Sequence, residues 1–173
     1  MTSVASKILE RLFVKGLSSY IDDNNLLNSG QHGFRCGQST VTNLLSFDKH
    51  IVEFLNNGSA CDVIMIDFCR AFDKVGHTVL YNKLKETGID GCYLKWMVDH
   101  LQDRKQFVEY NGTRSALFEV TSGVVQGTCI GPCAFTIFVN DLSSVLQHSK
   151  SALYADDFKF IGDVSTPQDR RLM

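Results

Sequence analysis

The chain has 173 residues and a formal net charge of −2, with 44% hydrophobic and 21% charged residues, a size and composition typical of one soluble globular domain. This charge excludes a uniformly basic surface and weighs against a nucleic-acid binder, although an acidic cluster could mask a local basic groove. No apolar run approaches the roughly 20 residues of a membrane span, and the N-terminal segment lacks the pattern of a signal peptide. We therefore expect an intracellular protein that is not secreted.

Two helices and a strand are predicted in the first part of the chain. Apolar residues recur at helical spacing over residues 4–21, and Ser39 is placed to cap a second helix that covers residues 39–55. The loop at 29–38 contains three glycines, which indicates either a close backbone approach or tight turns. Residues 62–67 form a short, partly β-branched apolar run, typical of a buried strand.

The middle of the chain predicts two further helices and a hairpin. The helices cover about residues 79–86, with a stop at Gly88, and about residues 93–102. The segment 107–120 contains Asn111-Gly112 between two strand-like runs, which is typical of a hairpin with a two-residue turn.

The last part predicts a helix over residues 133–146, a second hairpin around residues 154–157, and the start of a helix at 165–167 with a proline at its first position. Few residues follow this start, so we expect a truncated product. Strands and helices alternate and include hairpins, which favours an α+β fold with a mostly antiparallel sheet packed on helices.

The cysteines and histidines give little indication of a metal site. The six cysteines show no C-x-x-C spacing and the five histidines lie far from one another, which weighs against a zinc site. Cys61 and Cys69 flank the predicted strand at 62–67, and we expect them to be small buried thiols. This use of cysteine indicates a reducing compartment.

Tyr154-Ala155-Asp156-Asp157 places two adjacent carboxylates at the tip of the second predicted hairpin. Neighbouring carboxylates repel unless protons or cations neutralise them, and Mg²⁺ is often held by one or two carboxylates plus substrate phosphates. By itself, a surface turn with two acids is the simpler interpretation. Asp67, at the end of the predicted strand, could add a third carboxylate if the two strands pair, and the three would then form a two-metal site for phosphoryl displacement.

Four segments, taken together and in this order, resemble the reverse transcriptase domain of non-LTR (long interspersed, jockey-like) retrotransposons over nearly the whole chain. The resemblance implies a right-hand polymerase. Residues 1–59 would be a fingers-like segment and residues 60–173 the palm, within one reverse transcriptase domain 1–173, and the thumb would lie outside the sequence. The four segments are Gln31-His32-Gly33-Phe34-Arg35 through Ser39-Thr40, Ile66-Asp67-Phe68-Cys69-Arg70-Ala71-Phe72-Asp73, Ser122-Gly123-Val124-Val125-Gln126-Gly127 through Gly131-Pro132, and Tyr154-Ala155-Asp156-Asp157.

The activity implied by this resemblance is RNA-directed DNA polymerisation, a nucleotidyl transfer from a deoxynucleoside triphosphate to a primer 3′-hydroxyl on an RNA template. The matching catalytic residues are Asp67 and Asp156, which would bind two Mg²⁺ ions, and Asp157, which would support the site. The main-chain carbonyl of Phe68 would be a further metal ligand. Mn²⁺ is an alternative ion.

The resemblance also implies four nucleotide-binding residues. Arg35 matches an arginine that contacts the triphosphate, although it could be a solvated loop residue. Phe72 matches the position that excludes the 2′-hydroxyl, although it could be an ordinary core aromatic. Gln126 and Gly127 match a loop that packs on the incoming nucleotide, or they form an ordinary turn. Four basic residues could line a nucleic-acid groove or be solvated surface charges: Lys74, Arg104, Lys105 and Arg114.

The chain departs from the family pattern at several positions. Val125 stands where G-V-P-Q-G has proline, and Gly76 stands where A-F-D-x-V-P-H has proline. Each lost proline frees the backbone, so the entropic cost of ordering the loop rises by roughly 0.4–1 kcal/mol.

Two alternative functions stay open. One is a non-catalytic retrotransposon relic that at most binds nucleic acid. The other is a nucleotidyl cyclase, which would not explain the segments at 31–35 and 122–127.

Overall fold

The protein combines helices with antiparallel strands, which confirms the predicted α+β class. A computed structural model describes residues 3–173. The chain forms two compact units. The helical unit comprises the chain up to Asp23 together with Arg70–Phe138, and the sheet unit comprises Asn24–Cys69 together with Val139–Met173. The predicted division into residues 1–59 and 60–173 concerns fingers and palm and stays a prediction.

The described residues contain six α-helices, two 3₁₀ turns and seven strands. None of the helices is both long enough and apolar enough to cross a bilayer. In chain order the elements are α1 (Val4–Asp23), α2 (Thr40–Asn56), β1 (Cys61–Asp67), a 3₁₀ turn (Phe72–Lys74), α3 (His77–Glu86), α4 (Gly91–Leu101), β2 (Lys105–Gln106), β3 (Glu109–Tyr110), β4 (Thr113–Arg114), β5 (Phe118–Glu119), α5 (Ile130–Phe138), a second 3₁₀ turn (Leu142–Val145), β6 (Ser149–Tyr154), β7 (Asp157–Asp163) and α6 (Asp169–Leu172).

The core of the helical unit forms around α5, which packs against α1 and α3, while α4 packs against α3. Helix α5 is apolar on nearly all sides and is therefore buried, whereas α1, α3 and α4 each bury one stripe. Burying one such side chain contributes about 1.5–3 kcal/mol. The buried apolar residues of this core include Leu17, Ile21, Leu80, Leu84, Met97, Ile130, Phe135 and Ile137.

The sheet unit contains three antiparallel strands in the order β1-β7-β6. Side chains alternate between the two faces of a strand, so each face has its own cluster. Helix α2 covers one face, where Phe47 packs on Ala152 and Ile161. On the other face Leu153, Phe158 and Phe160 form a second cluster with residues of the segment 139–146.

Most of the predicted elements are confirmed. The helices predicted at 4–21, 79–86 and 93–102 are α1, α3 and α4. Ser39 caps α2 through a reciprocal pair of hydrogen bonds with Thr42. The helix expected after residues 165–167 is α6, but it begins at Asp169 rather than at the proline.

The helix predicted over residues 133–146 is wrong in both its bounds. Helix α5 begins at Ile130, and its proline lies in the first turn, where the N–H groups have no intrahelical partner. It ends at Phe138, whose carbonyl accepts a hydrogen bond from Lys83. Beyond it, the Asn140 side chain accepts from the Asn28 N–H at 2.7 Å and donates to the Leu26 carbonyl at 2.7 Å. These bonds hold Asn140 against another loop, and only a 3₁₀ turn follows.

The hairpin predicted at 107–120 is confirmed at its turn but interrupted along its strands. Asn111 and Gly112 both have positive φ, 47° and 75°, as a type I′ turn requires. Strands β3 and β4 flank the turn, and β2 pairs with β5 farther out. Between the two ladders, residues 107–108 lie opposite residues 115–117. This mismatch of one residue is a β-bulge.

Strand β1 is confirmed, but the prediction that it is buried is wrong. It lies at one edge of the sheet, and Ile64 and Met65 are 41% and 69% exposed. Cys69 is likewise exposed and Cys61 only half-buried, so the expectation of two buried thiols is also wrong. An apolar run identifies a strand, but it does not say which neighbours cover it.

Candidate active site

The two strands that carry the predicted acids are hydrogen-bonded neighbours. Strand β1 runs antiparallel to β7, with Asp67 directly opposite Asp157. Directly opposed residues point to the same face of a sheet, with Cβ atoms about 4.5–5.5 Å apart. The pairing on which the three-carboxylate hypothesis depends is therefore present, and two of its acids lie side by side.

The third acid lies in the turn between β6 and β7. This turn has two residues, Ala155 and Asp156, and Ala155 has a φ of 56°. A positive φ at the first turn residue is typical of the mirror-image turns that join twisted strands. Asp156 is half-buried, whereas Asp67 and Asp157 are exposed. The turn thus places Asp156 next to the opposed pair along the chain.

No described protein group neutralises the three carboxylates. Among the described residues, none of them has a hydrogen-bonded or ion-paired side-chain partner. Within residues 3–173, no group of three or more His, Cys, Asp or Glu side chains comes close enough to hold a metal. The structure therefore brings two of the acids together but does not gather three ligands. Two adjacent carboxylates nevertheless fit Mg²⁺, which takes one or two carboxylates and completes its shell with water and phosphate.

The segment at 30–33 supports this turn, a contact that sequence reasoning did not identify. Leu153 N–H donates to the Gly30 carbonyl at 2.9 Å, and His32 N–H donates to the Leu153 carbonyl at 2.9 Å. Gly33 lies against Ala155, where a Cβ would overlap the Ala155 nitrogen. Of the two interpretations for the loop glycines, a close backbone approach holds at Gly33, and a turn with a φ of 74° holds at Gly37.

Two more of the predicted site residues belong to the sheet unit. Phe68 follows β1 directly and is 37% exposed. Arg35 is half-buried, and its guanidinium donates to the Asn28 carbonyl at 3.2 Å and to the Gln31 carbonyl at 3.5 Å. Arg35 is therefore tied to its own loop, and its contact with a triphosphate stays a prediction.

The other predicted nucleotide-binding residues belong to the helical unit. Phe72 is half-buried and stacks on Phe135, with ring centroids 4.2 Å apart and planes at 18°. Gln126 and Gly127 are exposed, and Gly127 has a φ of 75°. One face of the Phe72 ring is thus packed, as expected for a core aromatic. Its role in excluding the 2′-hydroxyl of a ribonucleotide stays a prediction.

The loop that carries Gln126 is fastened to the 3₁₀ turn at Phe72–Lys74. The Gln126 amide donates to the Asp73 carboxylate at 2.9 Å, and the Ser122 hydroxyl donates to the Asp73 carbonyl at 2.9 Å. The His77 ring donates to the Gly123 carbonyl at 2.8 Å. Asp73 and His77 were not assigned a role from the sequence, although both belong to the A-F-D-x-V-P-H pattern.

Two of the four predicted basic groove residues, Arg104 and Lys105, line a cleft in the helical unit. The cleft has a volume of about 540 Å³ and is also lined by Gln126 and Asp73. Arg114 instead forms an ion pair with Glu109 at 2.7 Å, and Lys74 is exposed.

Comparisons with known proteins identify the family of this chain. Residues 1–166 match the family described as reverse transcriptase (RNA-dependent DNA polymerase). The chain is 30% identical over 168 residues to the probable RNA-directed DNA polymerase from transposon BS of Drosophila melanogaster, covering 93% of this chain and 18% of that protein. It is 29% identical over 158 residues to the RNA-directed DNA polymerase from mobile element jockey of the same species, covering 87% and 17%. The chain thus spans less than a fifth of these relatives.

Two solved telomerase structures share the fold. Apo telomerase from Candida tropicalis, truncated from its C-terminal domain, superposes with a TM-score of 0.66 at 14% identity over 96% of this chain and 36% of that one. Telomerase from Candida albicans, in complex with a fragment of telomeric RNA, gives 0.64 at 17% identity over 98% and 31%. These similarities agree with the predicted polymerase fingers and palm fold. The chain belongs to the reverse transcriptase (RNA-dependent DNA polymerase) family.

Proposed function

We propose that this chain is the nucleotide-joining part of an RNA-directed DNA polymerase from a non-LTR mobile element. The observation that carries the proposal is the register of β1 and β7, which sets Asp67 opposite Asp157 with Asp156 in the adjoining turn. Opposed like charges destabilise a sheet. A charge pair that no described residue neutralises is consistent with a site for cations.

The proposed roles of the acids are those that the resemblance to non-LTR reverse transcriptases implies. Asp67 and Asp156 would hold two Mg²⁺ ions, or Mn²⁺, with Asp157 and the Phe68 carbonyl in support. When bound there, the ions would activate the primer 3′-hydroxyl and neutralise the leaving pyrophosphate. The protein's own contribution is to keep carboxylate oxygens at fixed positions on the paired strands β1 and β7 and in the tight turn that leads into β7, because hydrogen-bonded strands hold a site more rigidly than loops do.

The proposed nucleotide contacts are also those that the resemblance implies. In the sheet unit, Arg35 would contact the triphosphate once its guanidinium leaves the loop carbonyls. In the helical unit, Phe72 would exclude ribonucleotides, and Gln126 and Gly127 would contact the incoming nucleotide. Gln126 and Gly127 are both exposed residues, which supports a role in contact with a ligand.

The proposed partners are an RNA template, a DNA primer and deoxynucleoside triphosphates. Arg104 and Lys105, in the cleft beside Gln126, are suited to contact phosphates of the nucleic acid. Under this proposal residues 1–59 belong to the fingers and residues 60–173 to the palm. The proposal also places the reaction inside the cell, in the cytoplasm and nucleus.

The test is RNA-templated incorporation of deoxynucleotides by the full-length protein in the presence of Mg²⁺. We expect Asp156→Asn to abolish incorporation, because the amide has no charge to offer a cation. Asp62→Asn is the matched control, since Asp62 is an exposed acid at the other end of β1, opposite Gly162. Equal activity of Asp156→Asn and the unaltered protein would refute the proposal. RNA binding without any incorporation would favour the non-catalytic relic instead.

A further inference from the structure

Gln31 is a buried polar residue that lies against the tip of the β6–β7 hairpin. It is only 1% exposed. It forms a parallel bridge with Leu153, so the segment around it lies along the free edge of β6 like a short extra strand. Gln31 thus reaches the turn from the side, next to the residue that precedes Asp156.

The side chain of Gln31 bonds to the turn itself. Its Oε1 accepts from the Gly33 N–H at 2.7 Å and from the Ala155 N–H at 3.2 Å. Both partners are N–H donors, so the Gln31 atom that bonds to them must be the amide oxygen, which accepts hydrogen bonds, and not the amide nitrogen. Ala155 is the residue with positive φ, a conformation that costs of order 1–3 kcal/mol unless its surroundings hold it. Gln31 supplies one of the contacts that hold it.

Close backbone contact adds to this hydrogen bond. A Cβ at Gly33 would overlap the Ala155 nitrogen and would lie 3.0 Å from the Ala155 Cα. The turn and the segment at 30–33 therefore touch main chain to main chain, and a shift of either would displace the other.

The nitrogen end of the Gln31 amide differs from the oxygen end in its hydrogen bonding. Within the described chain, its Nε2 is buried without a hydrogen-bond partner, a condition that costs stability. An apolar side chain of similar shape would avoid that cost. The presence of an amide here is explained by what its oxygen does, which is to fix the Ala155 N–H.

We propose that Gln31 is a positioning residue that sets the backbone of Ala155 and thereby the place of the Asp156 carboxylate. This inference rests on the proposed function, in which Asp156 binds a metal ion. Partners that orient metal ligands typically change metal affinity or activity by about 10- to 100-fold when they are removed.

The test replaces Gln31 with Met, which keeps the volume and removes the acceptor. In the full-length protein we expect kcat for RNA-templated incorporation to fall about 10- to 100-fold while KM for the deoxynucleotide changes less than about 3-fold. The Mg²⁺ concentration that gives half-maximal rate should rise. Without nucleotide or metal, hydrogen exchange at Ala155 and Asp156 should become faster.

Asn43→Ala is the matched control. The Asn43 amide is also buried and donates to the Leu153 carbonyl at 3.0 Å, but it does not bond to the turn. It should lose stability while keeping kcat, the Mg²⁺ dependence and slow exchange at Ala155. If Gln31→Met does not fold, Gln31→Glu, which keeps both acceptor contacts, should restore slow exchange at Ala155.

Three outcomes separate the claims. Matching exchange and kinetics in Gln31→Met and Asn43→Ala would overturn the positioning role, as would rapid exchange at Ala155 in a folded Gln31→Glu variant. Faster exchange in Gln31→Met, in a protein that never incorporates nucleotides, would support the positioning of the turn while refuting the proposed function.

Discussion

At the scale of single residues, the opposed carboxylates of Asp67 and Asp157 are an arrangement that lowers the stability of the fold. They lie directly across from each other on paired strands and are exposed. Like charges in this position destabilise a sheet by a few tenths of a kcal/mol up to about 1 kcal/mol. Sites built for function often carry such a cost in stability.

Neutralising one of these acids should stabilise the fold. We expect Asp67→Asn to raise the free energy of unfolding by about 0.2–1 kcal/mol in metal-free buffer, because it removes one of two opposed charges. Chemical denaturation at low salt measures the change. Asp62→Asn, with no acid opposite it, should leave the stability within error. A loss of stability in Asp67→Asn would mean that its carboxylate has a stabilising partner.

Gly33 should not tolerate a side chain. We expect Gly33→Ala to lower the free energy of unfolding by about 1–3 kcal/mol, because its Cβ would overlap the Ala155 main chain. Gly76→Ala is the control, since its Cβ would meet only the Val79 side chain at 3.7 Å and its φ is −72°. Equal thermal stability of the two variants would show that the loop and the turn are not in close contact.

His32 should make stability depend on pH. Burial lowers its pKa below the ordinary 6.5, a hydrogen bond with Gln38 opposes this shift, and the Arg35 charge adds to it. The unfolded chain then binds more protons than the folded one between the lowered pKa and 6.5, so stability is full above pH 6.5 and is lost as the pH falls through the folded pKa. His100 contributes in the same direction, also chiefly through burial.

The check is the slope of unfolding free energy against pH below 6.5. We expect His32→Gln to have a shallower slope than the unaltered protein, with the part due to His100 remaining. An unchanged slope would show that His32 titrates alike in the folded and unfolded chain.

At the scale of elements, the loop at 122–127 and the 3₁₀ turn at Phe72–Lys74 are held together by several short contacts. Gly123 has a φ of 91°, and a Cβ there would lie 2.8 Å from the Asp73 carbonyl oxygen. The Asp73 carboxylate also holds the Gln126 amide. These contacts restrain the loop, although Val125 stands where the family pattern has the more rigid proline.

The contact between Asp73 and Gln126 should appear as an energetic coupling. We expect Asp73→Ala and Gln126→Ala each to lower kcat/KM for the deoxynucleotide, and the double variant to be no worse than Gln126→Ala. The coupling should be about 0.5–1.5 kcal/mol, the net worth of one hydrogen bond. Ser122→Ala removes a bond to the Asp73 main chain only, so its effect should add to that of Gln126→Ala. Additivity in the Asp73 pair would contradict the coupling.

Local signals predicted most elements, and tertiary contacts decided the rest. Periodicity identified α1, α3 and α4, and the cap at Ser39 and the turn at Asn111 followed from residue type. Local pattern did not show that Asn140 would bond to the loop at 26–28 and end a helix early. Such contacts depend on which distant segment lies beside a residue.

In the candidate site, too, local signals predicted some features and tertiary contacts decided the others. The motifs marked Asp67, Asp156 and Asp157 as acids at strand ends, but the register between β1 and β7 joins segments some ninety residues apart in the sequence. The roles of Gln31 and Asp73 could not be predicted, because each acts through a contact with a distant main chain or loop. The apolar run of β1 also predicted burial where the strand is an exposed edge.

At the scale of the whole molecule, the family assignment and the placement of acids lead to one claim. The chain belongs to the reverse transcriptase family over residues 1–166, and its sheet unit pairs the strands that carry Asp67 and Asp157. If Asp67 is one of the carboxylates that hold the ions of nucleotidyl transfer, then removing its charge should lower the rate of catalysis while it raises the stability of the fold.

The rate of single-deoxynucleotide addition on an RNA template by Asp67→Asn tests this claim most directly. We predict a fall of about 1000-fold or more relative to the unaltered full-length protein, since metal ions contribute several kcal/mol of transition-state stabilisation, while the variant remains at least as stable. A rate within about 3-fold of the unaltered protein would contradict a catalytic role for Asp67.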